Sequence, residues 1–210
     1  MQSLANRAAH EIRNPLNGLA LNLEVVRSRA ARGTGDLASI GRFADSASSE
    51  SERAAELVQA LLELARPLTG PVDLWSVLRP MVVLHAAIAA AEAGGAPHDG
   101  GDPSAPAVVL EPRRDGSLTV AADPVVSRLA LAAALDAAAK ARTPTLVRCS
   151  VEARAAGDGK SDGQVVAMLR CAAPAPTLDD AVRDAIEGGG VVLEVVPDGM
   201  TLHFRAAGRD

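Results

Sequence analysis

The sequence predicts an α+β protein: a long helical hairpin, pairing with a second copy as a dimeric four-helix bundle, followed by an α/β sandwich. Three observations predict it. Apolar residues recur at alternating steps of three and four through the first 66 positions, a heptad pattern. Beyond residue 71, short β-branched runs alternate with helical ones. One Trp, two Phe and no Tyr stand against 43 alanines, so the core is built from small aliphatic side chains that suit close helix packing.

In the first helix the seam is Ala5, Ala9, Ile12, Leu16, Leu19, Leu23 and Val26. Gly33 and Gly35 end it. Asp36 can cap a second helix, whose seam is Leu37, Ile40, Ala44, Ala47, Ser51, Ala54, Val58, Leu61 and Ala65. Pro67 and Gly70-Pro71 stop it. A lone hairpin cannot cover such a seam, hence the expected homodimer.

Residues 71–210 form the second unit and 1–67 the first. A helix is expected over Val72–Ala93 with Asp73 as cap, then a Gly/Pro-rich loop at 94–106. Strands follow at Ala107–Glu111 and Ser117–Ala121. A helix opens at Asp123-Pro124, with Pro just inside its start, and runs to Ala141. Strands at Thr145–Val151 and Gln164–Cys171 flank a turn at 157–163. Gly188-Gly189-Gly190 stops a helix over Leu178–Glu187, and a hairpin, Val191–Val196 with Met200–Arg205, closes the chain. Helices on one face of a mixed sheet fit this order.

Composition narrows the function. With 48% hydrophobic and 22% charged residues the chain is not disordered. A net charge of −5 leaves no basic field for a phosphate backbone, so no nucleic-acid partner is expected. Cys149 and Cys171 are too few for a disulfide framework and read as buried thiols in a reducing compartment; no Cys/His cluster suggests a metal. The apolar run Met81–Ala91 is broken by His85 and short of a membrane span. No membrane partner is therefore expected, and a cytoplasmic location is.

The chemistry concentrates in His10-Glu11-Ile12-Arg13-Asn14-Pro15-Leu16. With Ile12 in the seam, His10 lies about 200° around the helix and faces outward, and Asn14 and Asn17 share its stripe. An exposed neutral imidazole is a nucleophile. Glu11 can accept its other ring N–H and fix the tautomer. Pro15 removes a backbone donor within a strong heptad helix, a costly feature. His85 in an apolar helix, His98 in the Gly/Pro loop and His203 in the last strand lack this combination of exposure, adjacent carboxylate and neighbouring Pro.

These seven residues resemble the phosphoacceptor box of bacterial histidine kinases, carried on the first helix of a dimerising hairpin. The resemblance implies that His10 carries a phosphoryl group, that Glu11 is its acid/base partner, and that Asn14 positions water for dephosphorylating a response regulator. It also implies receiver docking below the histidine, around Arg13, Asn17, Ala20, Leu21 and Glu24.

The second unit resembles the ATP-binding domain of those kinases in element order, but in degenerate form. The family's nucleotide helix carries two Asn four residues apart; here Ala133 and Ala137 stand in their places, with Asp136 one position off. Mg²⁺ requires oxygen ligands, which alanine lacks. The family's Asp-x-Gly-x-Gly loop is replaced by Cys171-Ala172-Ala173-Pro174-Ala175-Pro176. Each charged hydrogen bond lost costs about 1.5–3 kcal/mol, against about 8 kcal/mol for a whole micromolar site. ATP binding is therefore expected to be absent, with no cofactor of the chain's own and Mg²⁺ supplied by the receiver. Nine residues precede His10, so no upstream signal-delivering helix is expected. The resemblance is thus to kinase-derived histidine phosphotransferases, which pass phosphoryl groups between receiver aspartates. An active kinase with a divergent ATP site and a non-catalytic receiver-binding regulator remain as alternatives.

Overall fold

The computed structural model describes residues 2–32, 37–92, 108–114, 116–140, 146–154, 163–171 and 176–207. Two long helices, α1 (Gln2–Arg32) and α2 (Leu37–Ala65), form the hairpin. Their register is fixed by pairs that step evenly away from the turn. Arg29 donates to Ser39 Oγ and stacks over Phe43, Asn22 Nδ2 donates to Ser46 Oγ at 3.0 Å, and Gly18 leaves room for Glu50. The same register sets His10 level with Val58.

The heptad seam divides in two. Ile12, Leu19 and Val26 of α1 and Ile40, Ala47, Ala54 and Leu61 of α2 turn into the hairpin and are buried or half-buried. The other half faces solvent: Ala5, Ala9, Leu16 and Leu23 on α1, and Leu37, Ala44, Ser51, Val58 and Ala65 on α2. The expectation of one continuous seam is corrected accordingly, because each helix can turn only one of its two apolar rows toward a single partner.

Full burial of large side chains occurs only at the hairpin's base. Leu4, Ala8, Leu57, Ala60 and Leu64 join one core with α3 (Leu74–Glu92). The expected start of this helix moves, because Val72–Asp73 is a short strand, β1, and Asp73 Oδ1 caps α3 by accepting from Ser76 N at 2.8 Å. The apolar run does not stop at His85 as expected. Residues Leu74–Ala91 are long and apolar enough to cross a membrane by length and composition, with a mean hydropathy of 1.6. Here half of that window is buried inside the fold, where Leu74, Leu78, Met81 and Leu84 are fully enclosed and α3 is the central core helix.

A five-stranded sheet follows in the order β2-β4-β5-β7-β6, formed by β2 (Val108–Leu110), β4 (Val147–Arg154), β5 (Gln164–Arg170), β6 (Val192–Val196) and β7 (Gly199–Arg205). β2 runs parallel to β4 and the remaining pairs are antiparallel, the mixed sheet expected. β1 pairs separately with β3 (Thr119–Val120). Strands β2 and β3 are shorter than expected and β4 ends three residues later. Helices α4 (Pro124–Lys140) and α5 (Asp180–Gly188) complete the fold. Asp123 Oδ1 caps α4 through Val125 N (2.7 Å) and Val126 N (3.1 Å), and Asp179 caps α5 through Ala181 N (3.0 Å). At the β6–β7 turn Gly199 (φ +151°) is obligatory, since a Cβ there would lie 2.0 Å from Leu169 O. The expected loop at 94–106 and nearly all of the turn at 157–163 lie outside the described residues.

The two cysteines are free and buried. Burial, with the neighbouring Cys171 sulfur adding to it, pushes the Cys149 thiol up to about 12; burial also raises Cys171, with Asp198 contributing.

Candidate functional site

His10 stands on the open face of α1 with 68% of its side chain exposed, while Glu11 beside it is 13% exposed. Glu11 Oε1 lies 3.4 Å from His10 Nδ1, and Glu11 Oε2 accepts from Asn14 Nδ2 at 3.0 Å. The half-buried carboxylate thus holds both partners, one turn of helix binding all three residues together. If Nδ1 carries the proton toward Glu11, the Nε2 lone pair points away, toward solvent, as a nucleophile requires. Asn14 keeps its carbonyl oxygen free of this network. Pro15 is buried against α2 and lies within the helix, so Glu11's backbone carbonyl lacks its usual donor four residues on.

At 100° per residue, α1 divides into three faces. Leu4, Ala8, Pro15 and Asn22 pack toward α2 and the core. His10, Asn14, Asn17, Leu21 and Glu24 form an exposed stripe, with Arg13 and Ala20 at its margin. The exposed apolar row of Ala9, Leu16 and Leu23 lies a further third of a turn around. Leu21 is 67% exposed, so it does not pack inside its own hairpin, and Glu24 is held by Arg27 at 2.9 Å. All the residues expected to meet a partner are therefore presented outward together.

Residues 1–70 match the family described as His Kinase A (phospho-acceptor) domain. The matched residues are the helical hairpin, one third of the chain. The match supports a histidine-kinase-like role in two-component signalling. No curated protein matches the chain. Among solved structures it is similar to the Acinetobacter baumannii histidine kinase AdeS, at 17% identity and a TM-score of 0.43, covering 95% of this chain and 98% of that one. It is also similar to the histidine kinase ThkA in complex with the response regulator protein TrrA, at 15% identity and a TM-score of 0.42, covering 97% of this chain and 60% of that one. A third is the blue-light activated histidine kinase of Erythrobacter litoralis EL346, at 15% identity and a TM-score of 0.37, covering 97% and 59%. The chain thus spans about three fifths of the latter two.

Helix α4 carries Ala133 and Ala137, the positions at which the sequence resemblance expects nucleotide ligands. Ala133 and Ala137 are half-buried and packed against the core, offering methyl groups. Asp136, the nearest carboxylate, is drawn to Lys140 at 2.6 Å, an i,i+4 pair on the helix surface. Among the described residues no cluster of three metal-ligating side chains occurs. These residues do not fit a Mg²⁺–nucleotide. Ala172 lies outside the described residues.

One neighbour escaped the sequence. His203 Nε2 on β7 lies 3.4 Å from Glu194 Oε2 on β6. The pairing follows from strand register, which brings residues nine apart together, so an adjacent carboxylate is not unique to His10. Exposure separates the two, since the His203 side chain is only 21% exposed.

Proposed function

We propose that the protein is a histidine phosphotransferase of a two-component phosphorelay. His10 Nε2 attacks the phosphorus of a phospho-aspartate on a receiver domain; the N–P bond forms as the P–O bond to the aspartate breaks, and the carboxylate leaves. The reverse step hands the phosphoryl group to a second receiver. Glu11 steadies the positive charge that the ring gains. In-line geometry and Mg²⁺ come from the receiver, so this chain need present only a well-placed imidazole. The observation that carries the reading is the His10–Glu11–Asn14 cluster on an open face, set beside an α4 that offers alanines where nucleotide ligands would stand.

A second copy covers the solvent-facing heptad rows of α1 and α2, giving a homodimeric four-helix core. Receivers dock on the stripe of Arg13, Asn17, Ala20, Leu21 and Glu24, with Leu21 as the apolar anchor. Incubation with a phosphorylated receiver, with and without Mg²⁺–ATP, tests the reading by acid-labile phosphate. Label on His10 from the receiver alone supports it. Label from ATP alone makes the protein a kinase, and no label from either makes it a non-catalytic receiver-binding regulator.

A further inference from the structure

A solvent-open cleft of about 390 Å³ lies where the hairpin meets the sandwich, between the end of α2, the linker to β1, the start of α3 and Arg128 of α4. Its volume falls in the range of small-molecule sites. Leu64, Val72, Val77 and Pro80 supply buried apolar lining, and Trp75, the only Trp in the chain, supplies a flat wall.

The charges in this cleft are unbalanced. Arg66, Arg79 and Arg128 line it, and none has a carboxylate partner among the described residues. Of the two carboxylates present, Asp73 is already engaged by Arg113 Nη2 at 2.8 Å and by Ser76 N, while Glu63 accepts from Gln59. Arg128 reaches across the junction and donates through Nη2 to Arg66 O at 2.8 Å, but its Nε is buried without any partner. Buried donors are rarely left unmade. Arg79 lies over the Trp75 ring, 6.0 Å from its centre, so a cation and an aromatic plane are presented side by side.

We propose that this cleft binds a small organic anion, a carboxylate or phosphate on a flat apolar body, with its charge among Arg66, Arg79 and Arg128 and its body against Trp75. Arginine suits both anionic groups through its planar fork of donors. The apolar lining and the single ring distinguish such a ligand from an inorganic ion. Because the lining belongs to both parts of the chain, the occupant fastens hairpin to sandwich. The proposal is independent of the role of His10.

With no Tyr and one Trp, intrinsic fluorescence reports on this cleft alone. The full chain is titrated with benzoate and with phenyl phosphate; benzyl alcohol and inorganic phosphate serve as neutral and inorganic controls. The expected result is a saturable change in Trp75 emission with at least one aromatic anion, in the micromolar to low millimolar range, and binding at least about tenfold weaker for both controls. The melting temperature should rise with the same ligand. Arg79→Gln and Arg128→Gln should each weaken binding about tenfold or more by calorimetry. Should Arg128→Gln unfold through loss of its bond to Arg66, exposed Arg79 carries the test alone. No saturation by about 10 mM, equal binding of benzyl alcohol, binding of inorganic phosphate as tight as the aromatic anions, or unchanged affinity in a folded Arg79→Gln variant would each overturn the proposal.

Discussion

Glu11→Gln isolates the charge beside His10, because glutamine keeps the side-chain length and an oxygen for Asn14 to donate to. The wild-type carboxylate lies 3.4 Å from His10 Nδ1. A full ion pair at that distance is worth about 5 kcal/mol at a surface-like dielectric near 20, and about 1 kcal/mol in water. His10 is 68% exposed while Glu11 is 13% exposed, which places the interaction between these limits. Loss of a positioned acid–base partner typically costs roughly a hundredfold in rate. Single-turnover transfer from a phosphorylated receiver measures it, with receiver affinity followed in parallel. The variant should be slowed about a hundredfold with its receiver affinity unchanged, and added salt should narrow the gap. A variant within about threefold of wild type would refute the role given to this carboxylate.

Three further outcomes are expected. His10→Gln should abolish phosphoryl acceptance while leaving stability within about 0.5 kcal/mol, as surface changes do; label persisting on another histidine would move the site. Light scattering should find a dimer, and Leu16→Glu or Leu23→Glu, on residues 48% and 51% exposed in the protomer, should give folded monomers. Leu19→Glu, half-buried inside the hairpin, should instead destabilise the hairpin itself, since a carboxylate taken partly out of water without a partner is costly, and a monomeric wild type at tens of micromolar would defeat the pairing. The cysteines should resist thiol reagents in the native state at pH 8. As pH rises from 9 toward 12, the unfolded chain sheds the Cys149 proton while the folded chain retains it, so stability should fall by up to about 1.4 kcal/mol per pH unit; a flat alkaline limb in denaturant titrations would contradict this.

The His10–Glu11–Asn14 cluster was legible because it sits within one turn of a single helix, where spacing alone fixes direction. Asp73 and Asp123 were equally readable, each capping a helix within three residues of its own position. The division of the heptad seam was not. Steps of three and four specify two apolar rows per helix, and which row meets the neighbouring helix depends on how the hairpin closes. The His203–Glu194 contact depends on strand register. The arginine-lined cleft gathers side chains from residue 63 to residue 128, a grouping that only the packing of α3 against both α2 and α4 creates. His85 interrupts the apolar run in sequence, whereas the helix buries it at 4% exposure among its neighbours.

The core shared by the base of the hairpin and α3 also bears on motion. For the sandwich to swing toward His10 as a rigid body, Leu4, Leu57 and Leu64 would have to leave their common cover. At about 2 kcal/mol for each leucine returned to water, the swung state lies roughly 6 kcal/mol uphill, populated about once in 10⁴ or less. The shared core thus ties the base of the hairpin to the sandwich, and a swing would have to break that cover first.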